Sequence, residues 1–248
     1  MSTVAVYSLK GGVGKSTVAV NLAYRAATAS TRRTLLWDID AQGAAGFLLN
    51  QDKAGRDAHK IFSRDADARH LTVSTGYARL SLLAADNSLR QLDVQLIEAE
   101  ARKRLRKVLR ALQDDYDRII LDCPPGLTET SEQIFRAVEL IVVPIPPSPL
   151  AIGAYHDVAA HLARRQRHEG PEILPVLSMV DMRRKLHREA LEAHPDWHWI
   201  PQASVVERMA VERAPLATFA PRCAATQAFA GLWTDIEQRL QAIEARSS

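Results

Sequence analysis

A glycine-rich run from Leu9 to Thr17 constrains this chain of 248 residues more than any other stretch. The apolar run Val4-Ala5-Val6-Tyr7 before it is typical of a buried strand, and Val18 to Tyr24 after it is typical of a helix. The run departs from the pattern G-x-x-x-x-G-K-[ST], because Leu9 replaces the first glycine and Lys10 adds a second lysine. A strand, a glycine turn and a helix in this order predict a phosphate ligand at the end of the first strand.

The residue types in the run match the chemistry of a phosphate cradle. Glycines let successive backbone N–H groups turn toward phosphate oxygens, and the following helix adds the positive end of its dipole. Lys15 is placed to reach the β- and γ-phosphates, Ser16 offers a hydroxyl to Mg²⁺, and Thr17 is placed to bond the α-phosphate. Lys10 is placed to contact phosphate in its own site or in a facing subunit. The predicted nucleotide-binding residues of the loop are Lys10, Gly11, Gly12, Val13, Gly14, Lys15, Ser16 and Thr17.

Carboxylates follow two of the predicted strands. The predicted strand Thr34 to Trp37 brings Asp38 and Asp40 to its C-terminal end, and the strand Arg118 to Leu121 ends at Asp122. Ligands of open α/β sheets collect outside that end of the strands. Because these carboxylates would lie opposite a phosphate loop, they are predicted to bind Mg²⁺ or to orient water.

Three motifs resemble those of the ParA/MinD family of ATPases, in the same order and with similar spacing. K-G-G-V-G-K-S-T resembles the deviant Walker A motif, D-I-D-A-Q-G the second motif, and I-I-L-D-C-P-P the end of the Walker B strand. Near the C-terminus, the stretches from Ile200 to Pro215 and from Ala220 to Arg222 resemble the closing segment of the ParA branch. Ala41 stands where the family usually has proline, which predicts a looser loop without the loss of a functional side chain.

The resemblance implies a slow ATP hydrolase that a partner protein stimulates, with ATP or ADP and Mg²⁺ as cofactors. It implies that Asp40 orients the attacking water, that Asp38 supports the metal shell and that Asp122 holds Mg²⁺. ATP would close a homodimer in which Lys10 of one subunit reaches the phosphates held by the other. The catalytic residues of this hypothesis are Lys10, Lys15 and Asp40, and its metal-binding residues are Ser16, Asp38 and Asp122.

Further contacts are predicted in the C-terminal third of the chain. The block from Leu177 to Lys185 resembles the family's strand and loop near the adenine, which makes Asp181 and Pro201 candidate base contacts. Cations at the predicted helix start oppose the helix dipole, which favours an anionic partner. Non-specific DNA contacts are predicted for Arg183, Arg184, Lys185, Arg188, Arg208, Arg213 and Arg222. Gln202 and Val205 stand where relatives often have arginine, which indicates either a rearranged DNA surface or a different cargo.

Alternating strands and helices predict one α/β domain over residues 1–248, with a mostly parallel twisted sheet and helices on both faces. Leu89 to Leu112 is predicted as one helix with an apolar stripe. The opposite face of this helix is basic, and two interpretations stay open, a solvated surface or a DNA contact. Its members are Arg102, Lys103, Arg104, Arg106, Lys107 and Arg110. The last helix, which contains Leu232 and Trp233, is predicted to pack in the core.

Charge and cysteine content limit the partners and the cellular compartment that are expected for this chain. The formal net charge of +3 permits an acidic partner but does not demand one. Cys123 and Cys223 form no CxxC pair, so a cytoplasmic location is expected. The resemblance implies that the protein associates with the nucleoid in the ATP-bound state. No apolar run approaches the ~18 residues of a membrane span. The N-terminus leads directly into the first strand, so no signal peptide is expected. No stable membrane anchor is expected either, because the last helix is predicted to pack in the core and has acidic residues on its polar face.

The leading hypothesis is an ATPase whose nucleotide-switched dimer binds DNA non-specifically and partitions or positions a cargo. The cargo is open among a plasmid, a chromosome and a protein assembly. The alternative is a MinD-like regulator at the membrane, although acidic residues on the polar face of the last helix disfavour anionic lipid. A third class, an electron-transfer ATPase like the nitrogenase iron protein, would need two cysteines per subunit to share a metal cluster. Cys123 is too close to Asp122 for this role and Cys223 lies in the closing segment, so this class is disfavoured.

Overall fold

The computed structural model describes residues 1–51, 54–55, 57–63, 67–96, 103–165 and 170–247. Its strands are β1 Ser2–Val6, β2 Thr34–Asp38, β3 Thr72–Ser74, β4 Leu80–Leu83, β5 Arg118–Asp122, β6 Leu140–Ile145, β7 Glu172–Val180 and β8 His198–Pro201. Its α-helices are α1 Lys15–Thr28, α2 Ala44–Leu48, α3 Lys60–Ser63, α4 Ala68–Leu71, α5 Leu92–Leu96, α6 Arg104–Ala111, α7 Glu129–Phe135, α8 Pro149–Arg165, α9 Lys185–Ala193, α10 Ser204–Glu207, α11 Met209–Glu212, α12 Leu216–Phe219 and α13 Ala224–Ser247. A 3-10 helix spans Asn87–Gln91.

All eight strands form one sheet in the order β3-β4-β2-β5-β1-β6-β7-β8. Neighbours pair in parallel, except that β3 runs antiparallel to β4 at one edge. The strands β1, β2, β5 and β6 are buried along their whole length, as their continuous apolar runs require. The predicted fold class, a mostly parallel sheet between two layers of helices, is confirmed.

The topology places the glycine-rich loop where such sheets bind ligands. From β1 the chain builds one half of the sheet through β2 and β5, and it builds the other half through β6, β7 and β8. The end of β1 is therefore the point at which the order of strands reverses, and crevices for ligands form outside the carboxyl ends of strands at this point. The loop after β1 and the acidic ends of β2 and β5 meet there.

Two hydrophobic clusters hold the helices to the sheet. On one face, Trp37, Leu121 and Val143 belong to the cluster that includes residues of α5, α6, α7, α8 and α9. On the other face, Val4 and Leu22 belong to the cluster that includes residues of α1, α2 and α13. The burial of apolar area on both faces is the main stabilising contribution in a fold of this type.

The C-terminal helix α13 packs in the core, as predicted. Its apolar stripe, Leu232, Trp233, Ile236 and Leu240, is buried. Arg118 at the start of β5 is only 1% exposed and donates hydrogen bonds to Glu237 and Glu244 of the helix. Within the described ranges, every helix is too short or too polar to traverse a lipid bilayer. The apolar stripe of α13 is thus part of the hydrophobic core.

The structure differs from the sequence prediction between residues 87 and 112. The segment begins as the 3-10 helix and continues as α5, and its last part is α6. Residues 97–102, including Arg102, lie outside the described part of the chain. Its apolar stripe is confirmed, because Leu92, Leu96, Leu105 and Leu109 are buried. The antiparallel edge strand β3 was not predicted, because its three residues are too few to show a periodicity.

Candidate functional site

The loop after β1 forms an anion-binding turn at the N-terminus of α1. Gly12 and Gly14 have φ angles of +71° and +90°, a backbone conformation that side chains with a Cβ rarely adopt. Gly14 occupies the N-cap position of α1 without a side-chain cap, and the first helical bond runs from the Val18 N–H to the Gly14 carbonyl. The amides of the first turn therefore keep their donors for a ligand, which suits a phosphate group.

The two lysines of the loop have different surroundings. The Lys15 side chain lies inside the site, since the residue is 7% exposed, and its charge lowers the pKa of Asp122. Lys10 is exposed, and its backbone N–H donates to the Ser8 hydroxyl at 3.4 Å. Lys15 is thus placed for a phosphate within the same chain. Lys10 faces solvent.

Asp38 and Asp122 lie side by side at the ends of neighbouring strands. They are partners in the register of β2 with β5, and both are fully buried. Among the described residues, neither carboxylate oxygen of Asp122 has a hydrogen-bond partner. Burial raises the pKa of Asp122 to about 7, although the neighbouring Ser16 and Lys15 lower it. A buried carboxylate without a partner calls for a cation, and its hard oxygen atoms beside the Ser16 hydroxyl fit Mg²⁺.

Asp38 has a different bonding pattern, because the backbone of the following loop occupies its oxygens. One oxygen accepts from the Asp40 N–H at 3.1 Å, and the other accepts from the N–H groups of Ala45 at 3.1 Å and Gly46 at 3.4 Å. Burial and the neighbouring Asp122 raise the pKa of the Asp38 carboxyl. Asp38 holds the loop together, and its role in the metal shell stays a prediction.

Asp40 sits in the loop that Asp38 organises. Its side chain is partly exposed and accepts from the Gln42 N–H at 3.0 Å, while its carbonyl accepts from the Gly43 N–H at 2.9 Å. Ala41, which replaces the usual proline of the family, packs against the core cluster. These hydrogen bonds order the loop around Asp40, and the looser loop expected without proline stays a prediction.

An apolar cleft opens beside the glycine-rich loop. Pro201 lines it together with Thr17, and sequence reasoning missed Met179, Val206 and Phe229 in the same wall. Met179 has a φ angle of +57° at an irregularity in the pairing of β7 with β8. No sequence pattern marks a methionine in the left-handed region, because this conformation depends on contacts distant in the chain.

Of the two predicted base contacts, only Pro201 lines this cleft. The Asp181 carboxylate accepts two hydrogen bonds from the Arg183 side chain, each at 2.9 Å, and one from the Arg183 N–H. These bonds lower the pKa of Asp181 to about 2. Asp181 is thus engaged with its own turn, and its contact with a base stays a prediction.

Most of the predicted DNA-binding residues have partners within the chain. Arg183 pairs with Asp181, Lys185 with Glu189 and Arg208 with Glu212. Arg188 donates to the carbonyls of Met182 and Arg183, and the guanidinium of Arg213 lies 4.7 Å from the centre of the Phe47 ring. Arg184 and Arg222 are exposed. In the described part of the chain these two are the members of the set without a recorded partner, so they carry the least neutralised charge.

Comparison with known proteins agrees with the geometry of this site. A family model described as an AAA domain matches residues 1–173. The sporulation initiation inhibitor protein Soj of Bacillus subtilis is 30% identical over 195 residues, which cover 76% of this chain and 77% of Soj. The chromosome partitioning protein ParA of Myxococcus xanthus is 31% identical over 195 residues, which cover 76% of this chain and 69% of ParA. The chain belongs to the ParA/MinD family of P-loop ATPases.

The fold of this family member also matches a solved structure. The septum site-determining protein MinD from Pyrococcus horikoshii, complexed with Mg-ADP, superimposes with a TM-score of 0.78 at 23% identity, over 96% of this chain and 97% of MinD. The family resemblance inferred from the three motifs is therefore confirmed. The relatives named above place the chain among ATPases of partitioning and positioning.

Proposed function

We propose that this family member is a Mg²⁺-dependent ATPase whose nucleotide-switched dimer binds DNA without sequence preference and partitions or positions a cargo. One observation carries the proposal. The buried, unpartnered carboxylate of Asp122 faces Ser16 and Lys15 at the start of α1, beside the loop that carries Asp40. A cation and a triphosphate would satisfy both the carboxylate and the free amides of α1.

The residues of the loop bind and neutralise the nucleotide. The amides from Gly11 to Thr17 donate hydrogen bonds to the phosphate oxygens, and the Lys15 ammonium neutralises part of the phosphate charge. The apolar cleft beside Pro201 binds the base. Ser16 and Asp122 would hold Mg²⁺, which supplies charge neutralisation at the phosphates when it is bound. Phosphoryl transfer to water needs mainly positioned positive charge, so these groups suffice to stabilise the transition state.

Asp40 orients the attacking water in this proposal. The Asp40 carboxylate is partly exposed at the rim of the site, and Asp38 fixes the backbone on both sides of it. A residue that must hold a water in line with a phosphate requires such a fixed backbone. Hydrolysis is slow in the isolated protein, and a partner protein stimulates it by completing the site.

Lys10 supplies the dimer contact. The side chain is exposed in the single chain, so it is available to phosphates held by a second copy. ATP would thereby bridge two subunits, and hydrolysis would remove the bridge. The closed dimer would display the basic residues near α9 and α11 twice, which increases attraction to DNA phosphates. The protein is then cytoplasmic, and it associates with the nucleoid while ATP is bound.

The test uses the Asp40→Ala variant, which should hold ATP without turnover, and duplex DNA of mixed sequence. Binding should require ATP and weaken with salt, with a slope of log affinity on log salt of roughly −0.9 for each phosphate neutralised. Arg184→Glu with Arg222→Glu should flatten the slope, whereas the control pair Arg90→Glu with Arg246→Glu, also exposed, should not. DNA binding that is indifferent to ATP, or equal losses in both pairs, contradicts the proposal.

A further inference from the structure

A second cleft, which we call the arginine cleft, opens at the end of the sheet opposite to the glycine-rich loop. Its volume is about 470 Å³, and its charged lining consists of Arg33, Arg69, Arg79 and Asp115. Arg33 directly precedes β2, whereas Asp38 ends the same strand at the nucleotide site. A strand of five residues spans roughly 16 Å, so the arginine cleft is separate from the nucleotide site.

Two of the three arginines lie side by side. Arg33 and Arg79 precede Thr34 and Leu80, which are register partners on the parallel strands β2 and β4. The Thr34 N–H donates to the Arg79 carbonyl at 2.8 Å. Both side chains line the same cleft, and like charges at neighbouring positions of paired strands are destabilising. An anion bound between the two guanidinium groups would remove this repulsion.

Arg79 is the arginine of the cleft whose charge is least neutralised. Its side chain is exposed, and no described residue forms an ion pair or hydrogen bond with its guanidinium. Its φ angle of +62° lies in the left-handed region, which glycine and asparagine adopt at lower cost than arginine. The local backbone therefore gives no reason for an arginine at this position, whereas an anionic ligand does.

The other two arginines are held in place by contacts outside the cleft floor. Arg69 donates to the Asp115 carboxylate at 2.6 Å and to the carbonyl of Ala111. Arg33 donates to both carboxylate oxygens of Asp117, at 2.9 and 3.4 Å. A guanidinium group has five N–H donors, so each arginine keeps donors for a further acceptor. Because these contacts already orient the guanidinium groups, a ligand would lose little affinity to the ordering of flexible side chains.

Neutral donors complete the lining. The hydroxyl groups of Ser81 and Tyr116 face no hydrogen-bond partner among the described residues. The Ser74 hydroxyl accepts from the Gly76 N–H at 3.5 Å, which leaves its own proton available. Guanidinium groups and hydroxyl groups together supply more donors than the two oxygens of one carboxylate need. They match the several charged oxygens of a phosphate group, which guanidinium binds in a bidentate manner.

We propose that the arginine cleft binds a small molecule that carries a phosphate or diphosphate group. Its volume lies within the range of about 300–1,000 Å³ that is usual for small-molecule sites. Its donors converge on one concave site, whereas the phosphates of a duplex are spread along a convex surface. Occupation of the cleft requires neither ATP turnover nor a dimer. The inference therefore goes beyond the proposed function, and either can fail without the other.

The experiment is isothermal titration calorimetry with inorganic pyrophosphate and, separately, with glycerol 3-phosphate in chloride buffer. The parent protein is Lys15→Ala, which removes the phosphate-binding ammonium of the nucleotide site. We expect saturable binding at one site per chain. Tighter binding of pyrophosphate assigns the cleft to a diphosphate, and tighter binding of glycerol 3-phosphate assigns it to a phosphate monoester.

Variants of the cleft locate the bound anion. Arg79→Asn should weaken binding roughly tenfold or more, because it removes a charge-assisted hydrogen bond, and Ser81→Ala should weaken it roughly three- to tenfold. The control Arg90→Asn removes the same charge from an exposed position outside the cleft and should bind like the parent. Arg79→Asn should melt no earlier than the parent, because asparagine tolerates the left-handed backbone. A loss of binding in this variant would then not be a loss of folding.

Four results would overturn the inference. The first is an absence of saturable binding by the parent when wild-type protein binds pyrophosphate, since the anion would then occupy the phosphate loop alone. The second is an affinity that Arg79→Asn leaves unchanged or that Arg90→Asn reduces equally. The third is tighter binding of citrate than of either phosphate compound, which would assign the cleft to carboxylates. The fourth is a dependence on Arg79 of binding to duplex DNA but not to the phosphate compounds.

Discussion

At the level of single residues, Asp38 organises the loop that carries Asp40. Removing its carboxylate with Asp38→Ala should speed hydrogen exchange of the Ala45 and Gly46 amides roughly tenfold or more, because a buried donor without an acceptor costs about 1–3 kcal/mol. Turnover should fall with it, whereas ATP binding should remain. Asp40→Ala is the matched control, because it should stop turnover and leave exchange at Ala45 unchanged. Unaltered exchange in Asp38→Ala would show that the loop is held by other contacts.

Asp122 is the second residue with a testable role. Its unpartnered carboxylate should make Mg²⁺ add to the stabilisation by ADP, and each 1 kcal/mol added raises the melting temperature of a chain of this size by about 2–4 °C. In Asp122→Asn the increment in melting temperature from Mg²⁺ should vanish. A chelator should return wild-type protein with ADP to the melting temperature that it has without Mg²⁺. The surface variant Asp117→Asn should keep the increment. A full response to Mg²⁺ in Asp122→Asn would assign the cation to other groups.

At the level of elements, a buried ion pair joins α13 to the sheet. Arg118→Ala should lower the free energy of unfolding by about 3–5 kcal/mol, because it leaves the buried carboxylate of Glu237 poorly compensated. Arg32 contacts the same Glu237 from a side chain that is 36% exposed, so Arg32→Ala should cost less than about 1 kcal/mol. Chemical denaturation measures both. Equal and small costs would mean that apolar packing alone holds α13.

Elements and sites differ in how well the sequence predicts them. The glycine-rich loop and Asp122 depend on spacing within a few residues of a buried strand, so the pattern is sufficient to identify them. The pairing of Asp181 with Arg183 and the left-handed backbone of Met179 were not predicted, because each depends on local geometry that no periodicity encodes. The 3-10 helix at the start of the predicted helix from Leu89 was missed for another reason, since the apolar spacing continues from Leu89 into Leu92 and Leu96 of α5.

At the level of the whole molecule, the central claim is that ATP joins two copies of the chain through Lys10. Hydrolysis would otherwise obscure the dimer, so the measurement is the molar mass by light scattering of Asp40→Ala with ATP and Mg²⁺. We expect a dimer with ATP and a monomer with ADP, and a monomer again when Lys10→Ala is added. The added control Lys60→Ala, another partly exposed lysine, should leave the dimer intact. A dimer that persists without Lys10, or a monomer of Asp40→Ala at saturating ATP, contradicts the account.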